Sequence, residues 1–283
     1  MWTAAAGAAA QSQNLDVIAN NIANADTPAF KKDTPTFKEY LATVERNPEP
    51  QDIPRGPIKD KEFYPLDGRD QSHVVMDGTH TSYRQGHLRV TQRQFDVALE
   101  GSGFMEVSTP YGVRYTRQGS MKVAQDGRLV TQEGYPILAR QPGGLNGNNA
   151  GVNPQTPPST ATAADIASRY INLRDRGPHF TISPQGEIFA GEDLVGQLNV
   201  VEFADMKKLK KSGGQFFESL DQNNRMNPAH TLVRQGVIET SNVNPIEEMT
   251  NMIKANRLFE LDLKSLKTYG ELLGKEANDI GKL

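Results

Sequence analysis

The sequence predicts an α+β protein: an N-terminal and a C-terminal helix pairing as a coiled coil, a central antiparallel β domain, and an extended arm. Three observations carry this reading. Ala4, Ala8, Gln11, Leu15, Ile18, Ile22 and Ala25 recur at alternating spacings of four and three residues. The same alternation returns far along the chain at Met249, Met252, Asn256, Phe259, Leu263, Leu266, Gly270, Leu273, Ala277 and Ile280. Between these stretches, short β-rich runs alternate with turn residues. A three/four spacing lays a seam along a helix that a second helix can bury. Placing the best helices at the two ends suits a protein that assembles through its termini.

The first helix is expected over residues 2–25, because alanine is the best helix former and dominates the stretch before Gln11. It should stop near Asp26, since Pro28 disfavours helical backbone at Thr27. Together with the motif that follows, it forms an N-terminal segment, 1–32. Residues 33–87 carry Pro35, Pro48, Pro50, Pro54, Pro57 and Pro65, and are expected to be an extended arm or linker. Within it, the run from Phe37 to Val44 is long enough for a helical turn or two.

Strand signals dominate from 88 to 204. His87–Thr91, Phe95–Leu99, Phe104–Ser108 and Val113–Thr116 have β character. Met121–Val123 and Arg128–Val130 flank Asp126-Gly127, a hairpin signal, and Ile182 and Ile188 flank Pro184-Gln185-Gly186. Leu194–Phe203 reads as one further strand. Residues 141–166, rich in Gly, Asn, Pro, Thr and Ala, are expected to be a flexible surface loop. Residues 205–235 read as a polar, turn-rich return segment. The last segment, 236–283, contains the second helix. Its start has Asn244 as N-cap, Pro245 at the first helical position and Glu247 at the third, with Glu247 and Glu248 suited to the positive end of the helix dipole. Asn256 interrupts the second seam, where it either fixes register or faces solvent.

Composition narrows the functional classes. The chain has 283 residues, 36% hydrophobic, with 25 glycines and 17 prolines. The mean hydropathy of −0.58 points to a thin core and much surface. A net charge of −3 supplies no basic excess for nucleic acid. The absence of cysteine removes disulfides, Cys-based zinc sites and a Cys nucleophile. The first 25 residues lack the basic region of a secretory signal and their apolar stretch is alanine, broken by Gln11, Gln13, Asn14 and Asp16; no run reaches the ~18 apolar residues of a membrane span.

Catalytic and ligand motifs fail on inspection. Gly101-Ser102-Gly103 lacks the third glycine and the following helix of a phosphate loop. His73, His80 and His87 are spaced by seven, but Gly78 and Gly86 break any helix that would gather them. Asp67, Asp70 and Asp77 do not match a calcium loop. No nucleophile elbow is present. The expectation is therefore no enzyme, no cofactor, no metal and no small-molecule substrate.

Longer motifs point elsewhere. Gln13 to Asn24, read with Phe30-Lys31, closely resembles the N-terminal signature of the flagellar rod and hook proteins, with Ala29 where that pattern usually has glycine. Gln235 to Met249 resembles the C-terminal signature of the same family. Leu99 to Phe104, Tyr115 to Ser120, Asp126 to Val130 and Gly134-Tyr135-Pro136 recur between them, so the resemblance covers residues 1–32, 86–140 and 180–283. Within the family, the stretch from Asp77 to Leu88 resembles the proximal-rod branch first and the distal-rod branch next.

The resemblance implies a structural subunit that leaves the cell body uncleaved through the flagellar type III export apparatus. It implies a place in the periplasmic rod of the basal body, stacked with copies of itself and other rod subunits into a hollow shaft. It implies terminal helices in an inner tube and a β domain outside. The expected assembly interface is Leu15, Ile18, Asn20, Asn21, Ile22, Asn24 and Phe30 from one end, and Asn242, Asn244, Met249, Met252, Asn256, Phe259, Leu263, Leu266 and Leu273 from the other. An adaptor bound to the shaft without joining it is the rival reading; an axial subunit should lose assembly on deletion of residues 1–25, whereas an adaptor could keep its binding.

Overall fold

The computed structural model describes residues 2–41, 72–140, 163–174, 176, 179–228 and 230–280. The chain forms two compact units. One contains residues 1–22, 33–81 and 245–283; the other contains 23–32 and 82–244.

The first unit holds both terminal helices. Helix α1 spans Trp2–Ala23, two residues short of the sequence expectation. The second, here α3, spans Pro245–Ile280, beginning where Asn244 and Pro245 place its start. The described ends of the proline-rich arm are strands: β1 (Asp33–Leu41) pairs antiparallel with β2 (Ser72–Thr81). The helical turn allowed over 37–44 is therefore corrected at its described start, because Phe37 to Leu41 lie in β1. Pro35 is tolerated because a two-stranded ribbon consists only of edges. Residues 42–71 lie outside the described residues, and the last described part of the arm, 82–87, precedes the next strand.

On this ribbon His73 pairs with Tyr40 and His80 with Thr34. Six residues of β1 separate those partners, about 20 Å at strand rise, too far for one metal ion.

The second unit is entirely antiparallel. Its strands are β3 (Leu88–Val90), β4 (Val97–Glu100), β5 (Phe104–Thr109), β6 (Gly112–Thr116), β7 (Met121–Val123), β8 (Leu129–Thr131), β9 (Phe180–Ile182), β10 (Glu187–Ala190), β11 (Asp193–Gln197), β12 (Val200–Phe203), β13 (Leu209–Lys211), β14 (Phe216–Ser219), β15 (Arg225–Met226), β16 (Leu232–Gln235) and β17 (Val237–Glu239). A six-stranded sheet runs β13-β14-β6-β5-β12-β15, and a three-stranded sheet runs β11-β10-β9. The pairs β7-β8, β16-β4 and β17-β3 complete the unit.

The six-stranded sheet is buried on both faces. Along β5, Met105 and Val107 enter one core with Val97, Leu99, Ile137 and Leu198, while Phe104 enters another with Tyr115, Phe203 and Phe217. Period-two alternation sends neighbours to opposite faces, so a strand covered on both sides reads as a nearly continuous apolar run.

Two expectations differ from the structure. Leu194–Phe203 is two strands in two sheets, because the chain leaves β11 at Leu198-Asn199, where Leu198 N–H donates to the Gly186 carbonyl (2.8 Å) and Asn199 N–H to the Leu138 carbonyl (3.1 Å). Residues 205–235 are not a bare return path. They supply β13 to β16, and Leu209, Phe216 and Phe217 are core residues. The polar residues that made this stretch look loop-like sit at its turns, where Asp205 and Asp221 each cap a short 3₁₀ turn with their side chains. Of the loop expected at 141–166, residues 141–162 lie outside the described residues and Ala163–Ser168 form the short helix α2.

Close backbone approach dictates one glycine. Val97 N–H donates to the Gly119 carbonyl at 2.9 Å, and a Cβ on Gly119 would fall 1.4 Å from the Val97 oxygen. Gly119→Ala must therefore push two core segments apart, and is expected to cost at least the upper end of about 1–3 kcal/mol in denaturant unfolding.

Candidate assembly interface

The helices come alongside at two points. The Asn21 side chain donates to Glu248 at 3.3 Å, and a Cβ on Gly7 would lie 3.2 Å from the Asp262 carboxylate. Fourteen residues, about four turns, separate these points on each helix, and their order is reversed, so α1 and α3 run antiparallel there.

The covered face of α3 is read from its burial. Glu248 and Ala255 are buried, and Asn251, Phe259, Asp262 and Leu266 are partly so, again at spacings of three and four. This stripe coincides with the expected seam only at Phe259 and Leu266. Met249, Met252, Leu263 and Leu273 are exposed, at 52%, 36%, 45% and 53%. Ile246, Ile253, Leu258, Leu261, Tyr269 and Leu272 are exposed as well. Asn256 is exposed in the subunit and donates to Glu260 on its own helix at 3.1 Å. On α1, Ile18 is buried, Leu15 and Ile22 are half-buried, and Asn20 is exposed.

The remaining motif asparagines hold backbone. The Asn21 amide grips Asp33, accepting from its N–H (3.0 Å) and donating to its carbonyl (2.8 Å). Asn242 accepts from Lys32 N–H (2.7 Å) and donates to the carbonyls of Ser82 (2.8 Å) and Arg84 (3.0 Å). Both side chains stand in for missing ladder partners where chain segments meet without forming a sheet. Asn24 is half-buried and accepts from the Thr27 hydroxyl at 3.2 Å; Asn244 is exposed at the start of α3.

The segments leading out of α1 and into α3 meet inside the second unit. Ala29 N–H donates to the Glu239 carbonyl at 2.9 Å, and Asn242 N–H to the Phe30 carbonyl at 3.3 Å. Phe30 is buried, with the Lys211 ammonium 4.1 Å above its ring. Beneath them lies a charged cluster that sequence reasoning left out of the interface. The Glu239 carboxylate takes Lys31 Nζ at 2.6 Å on one oxygen and Arg117 Nε at 2.9 Å on the other. All three side chains are at most 1% exposed.

Both cations reach further acceptors. Lys31 also donates to the Arg84 carbonyl (2.7 Å), and Arg117 to the carbonyls of Gly103 (2.9 Å), Gly101 (2.8 Å) and Leu99 (3.3 Å). Gly86 N–H adds a third bond to Glu239 at 2.8 Å. Four separate family motifs therefore converge on one carboxylate. The available signal was a lone charge inside each of the apolar runs Val237-Ile238-Glu239 and Tyr115-Thr116-Arg117.

Burial and the Arg117 charge pull the Lys31 ammonium down to about 8, against the pull of Glu239. Burial pushes the Glu239 carboxyl up, but the charges of Arg117 and Lys31 and the Lys31 and Gly86 hydrogen bonds outweigh it, and the carboxyl sits below the ordinary glutamate value of 4.5. A second buried carboxylate, Glu106, is held by Arg169 (2.5 Å), Arg225 and the Asn199 amide (2.6 Å), and anchors the segment after α2 to the sheet.

Glu239→Gln leaves two buried cations facing each other without an anion, and should cost about 3–5 kcal/mol in denaturant unfolding. Because the folded carboxyl is the stronger acid, Glu239 stabilises the native state above pH 4.5, and that share is lost as pH falls below it. Lys31 has the same slope at higher pH: the folded state gives up its proton first, so stability rises again between about 8 and 10.5. Urea titrations across pH should show both limbs in the natural chain and lose the alkaline one in Lys31→Met. Ala29, where the family pattern has glycine, adopts φ 59, in the left-handed region. An L-residue there costs about 1–2 kcal/mol, so Ala29→Gly should stabilise by about 0.5–1 kcal/mol after the glycine entropy cost, read as a raised Tm.

Comparison with known proteins agrees with the motifs. Residues 1–31 match the family described as flagella basal body rod protein. Residues 98–190 match the flagellar hook protein FlgE/F/G D1 domain, and 234–280 the flagellar basal body rod FlgEFG protein C-terminal. The chain is 30% identical to the flagellar basal-body rod protein FlgG of Buchnera aphidicola subsp. Schizaphis graminum over 97% of each chain. It is 30% identical to the FlgG of Bacillus subtilis over 93% of this chain and 92% of the relative. It is 27% identical to the flagellar basal-body rod protein FlgF of Caulobacter vibrioides over 96% of this chain and 93% of the relative. With those three matches in chain order and near full-length relatives on both sides, the chain belongs to the flagellar basal-body rod protein family.

Proposed function

We propose that this chain is a structural subunit of the bacterial flagellar rod, which joins other rod subunits and copies of itself through its terminal helices. The relatives carry the names FlgG and FlgF, and both are basal-body rod proteins. The observation that carries the reading is the apolar face that α3 leaves uncovered. Ile246, Met249, Ile253, Leu261, Leu272 and Leu273 are each more than half exposed, along a helix of 36 residues. Isolated, that face is a liability in water; covered by neighbouring helices, it stabilises a tube wall. The seam of Met249, Met252, Leu263 and Leu273 then serves contacts between subunits, and the stripe through Ala255 and Phe259 serves the pairing of α3 with α1 as a coiled coil.

Contacts between copies must be heterologous, since only a head-to-tail surface builds an open helical filament. Torque passes through many parallel helix contacts in such a wall. Before docking, the helices are partly disordered, and ordering is offset by burial against neighbours. Export is through the flagellar type III apparatus without cleavage, and the destination is the periplasmic rod of the basal body. The choice of the proximal over the distal branch rests on the stretch from Asp77 to Leu88 and the long arm before it.

The seam is tested with Leu263→Asp. Leu263 is 45% exposed in the subunit, so the variant should fold with little change in stability. It should nonetheless block rod assembly and swimming, as should Leu15→Asp. Normal rods and motility with both variants would refute the proposal.

A further inference from the structure

We propose that Glu239 is a positioning residue: its buried carboxylate, shared by Lys31 and Arg117, pins the segment leaving α1 to the segment entering α3 within a single folded subunit. The spacing of the two root segments, 24–32 and 239–244, is then set before any neighbour joins. The geometry has three independent parts. Two residues, Lys31 and Glu239, lie 208 positions apart in the chain and make a buried ion pair at 2.6 Å. Arg117 ties that pair to the body of the β unit through the carbonyls of Leu99, Gly101 and Gly103. Around it, Ala29 N–H bonds the Glu239 carbonyl and Lys32 N–H bonds the Asn242 side chain, so the backbone of one root is read by the other.

This pinning does not use either helix. None of its groups lies in α1 or α3, and all belong to the second compact unit. A carboxylate between two cations suits the task better than an apolar contact. Burial makes loss of either partner expensive, and the directional bonds admit one register only. The consequence for assembly is that roots held at fixed spacing reduce the conformational freedom a subunit must lose on docking.

The test is amide exchange on the full-length monomer, comparing the natural chain with Lys31→Met. Protection is read at Ala29 and Lys32 in the roots and at Ile137 and Leu138 in the core, whose amides bond Leu129 and Glu106. The expected result is at least about a 100-fold loss of protection at Ala29 and Lys32, well beyond the loss at Ile137 and Leu138. Lys31→Gln, which drops the charge but keeps a donor for the Arg84 carbonyl, is a milder variant and should show the same pattern. Root protection within about threefold of the natural chain in both variants overturns the proposal. So does a loss of the same size at root and core together, which would make Lys31 an ordinary stability residue. Pinning is a property of the monomer, whereas its use in assembly rests on the rod reading. Loss of root protection in a chain that still builds normal rods would count against that use and leave the pinning standing.

Discussion

A single carboxylate organises the junction of this protein. Glu239 is buried, and a buried charge without a partner is among the most expensive things a protein can contain. Its requirement for partners draws Lys31 from near the N-terminus, Arg117 from the middle of the β unit and the Gly86 amide from the segment before β3. Arg117 then needs its own remaining donors satisfied, and takes the carbonyls of the Gly101–Gly103 turn. Each demand recruits the next. The segments of Lys31 and Arg117, neither of which pairs with β17, are thereby fixed to it.

The same logic explains why asparagine recurs at both ends. A side-chain amide offers both a donor and an acceptor, as a peptide group does. Asn21 meets both backbone groups of Asp33, and Asn242 meets the backbone of Lys32, Ser82 and Arg84. These are positions where the chain turns from helix to ribbon or from strand to helix, so no neighbouring strand is available. Substituting another polar residue would satisfy one group and leave the other orphaned. Ala29 shows the cost of departure from the family pattern at the same junction: the backbone still takes its left-handed turn, now with a Cβ attached.

The two units distribute their apolar surface differently. The β unit covers both faces of its main sheet, with Val97, Leu99, Phe104, Met105, Ile137 and Leu138 fully buried. Helix α3 covers a narrow stripe and leaves large residues exposed along much of its length. A subunit with a large core in one part and, among the described residues, a narrow buried stripe in the other is suited to folding the first part alone and completing the second by association.

Much of this was legible in the residues. Helix propensity, the proline that ends α1, the Asn244-Pro245 start of α3 and the Asp126-Gly127 turn act over a few residues, so local sequence determined those elements and nearly all their boundaries. The motifs determined the family for the same reason, being contiguous. What the tertiary structure decided lay beyond that range. Which stripe of α3 is covered depends on how a second helix lies on it, and the three/four spacing is satisfied by two overlapping stripes that share Phe259 and Leu266. Strands β14 to β16 join the sheets because distant partners supply their hydrogen bonds, while the polar residues of the turns between them make the stretch read as a loop. Above all, Lys31, Arg117 and Glu239 find each other across 208 and 122 residues of chain; a lone charge among apolar neighbours marks Arg117 and Glu239 locally, but not which partner each one meets that far away.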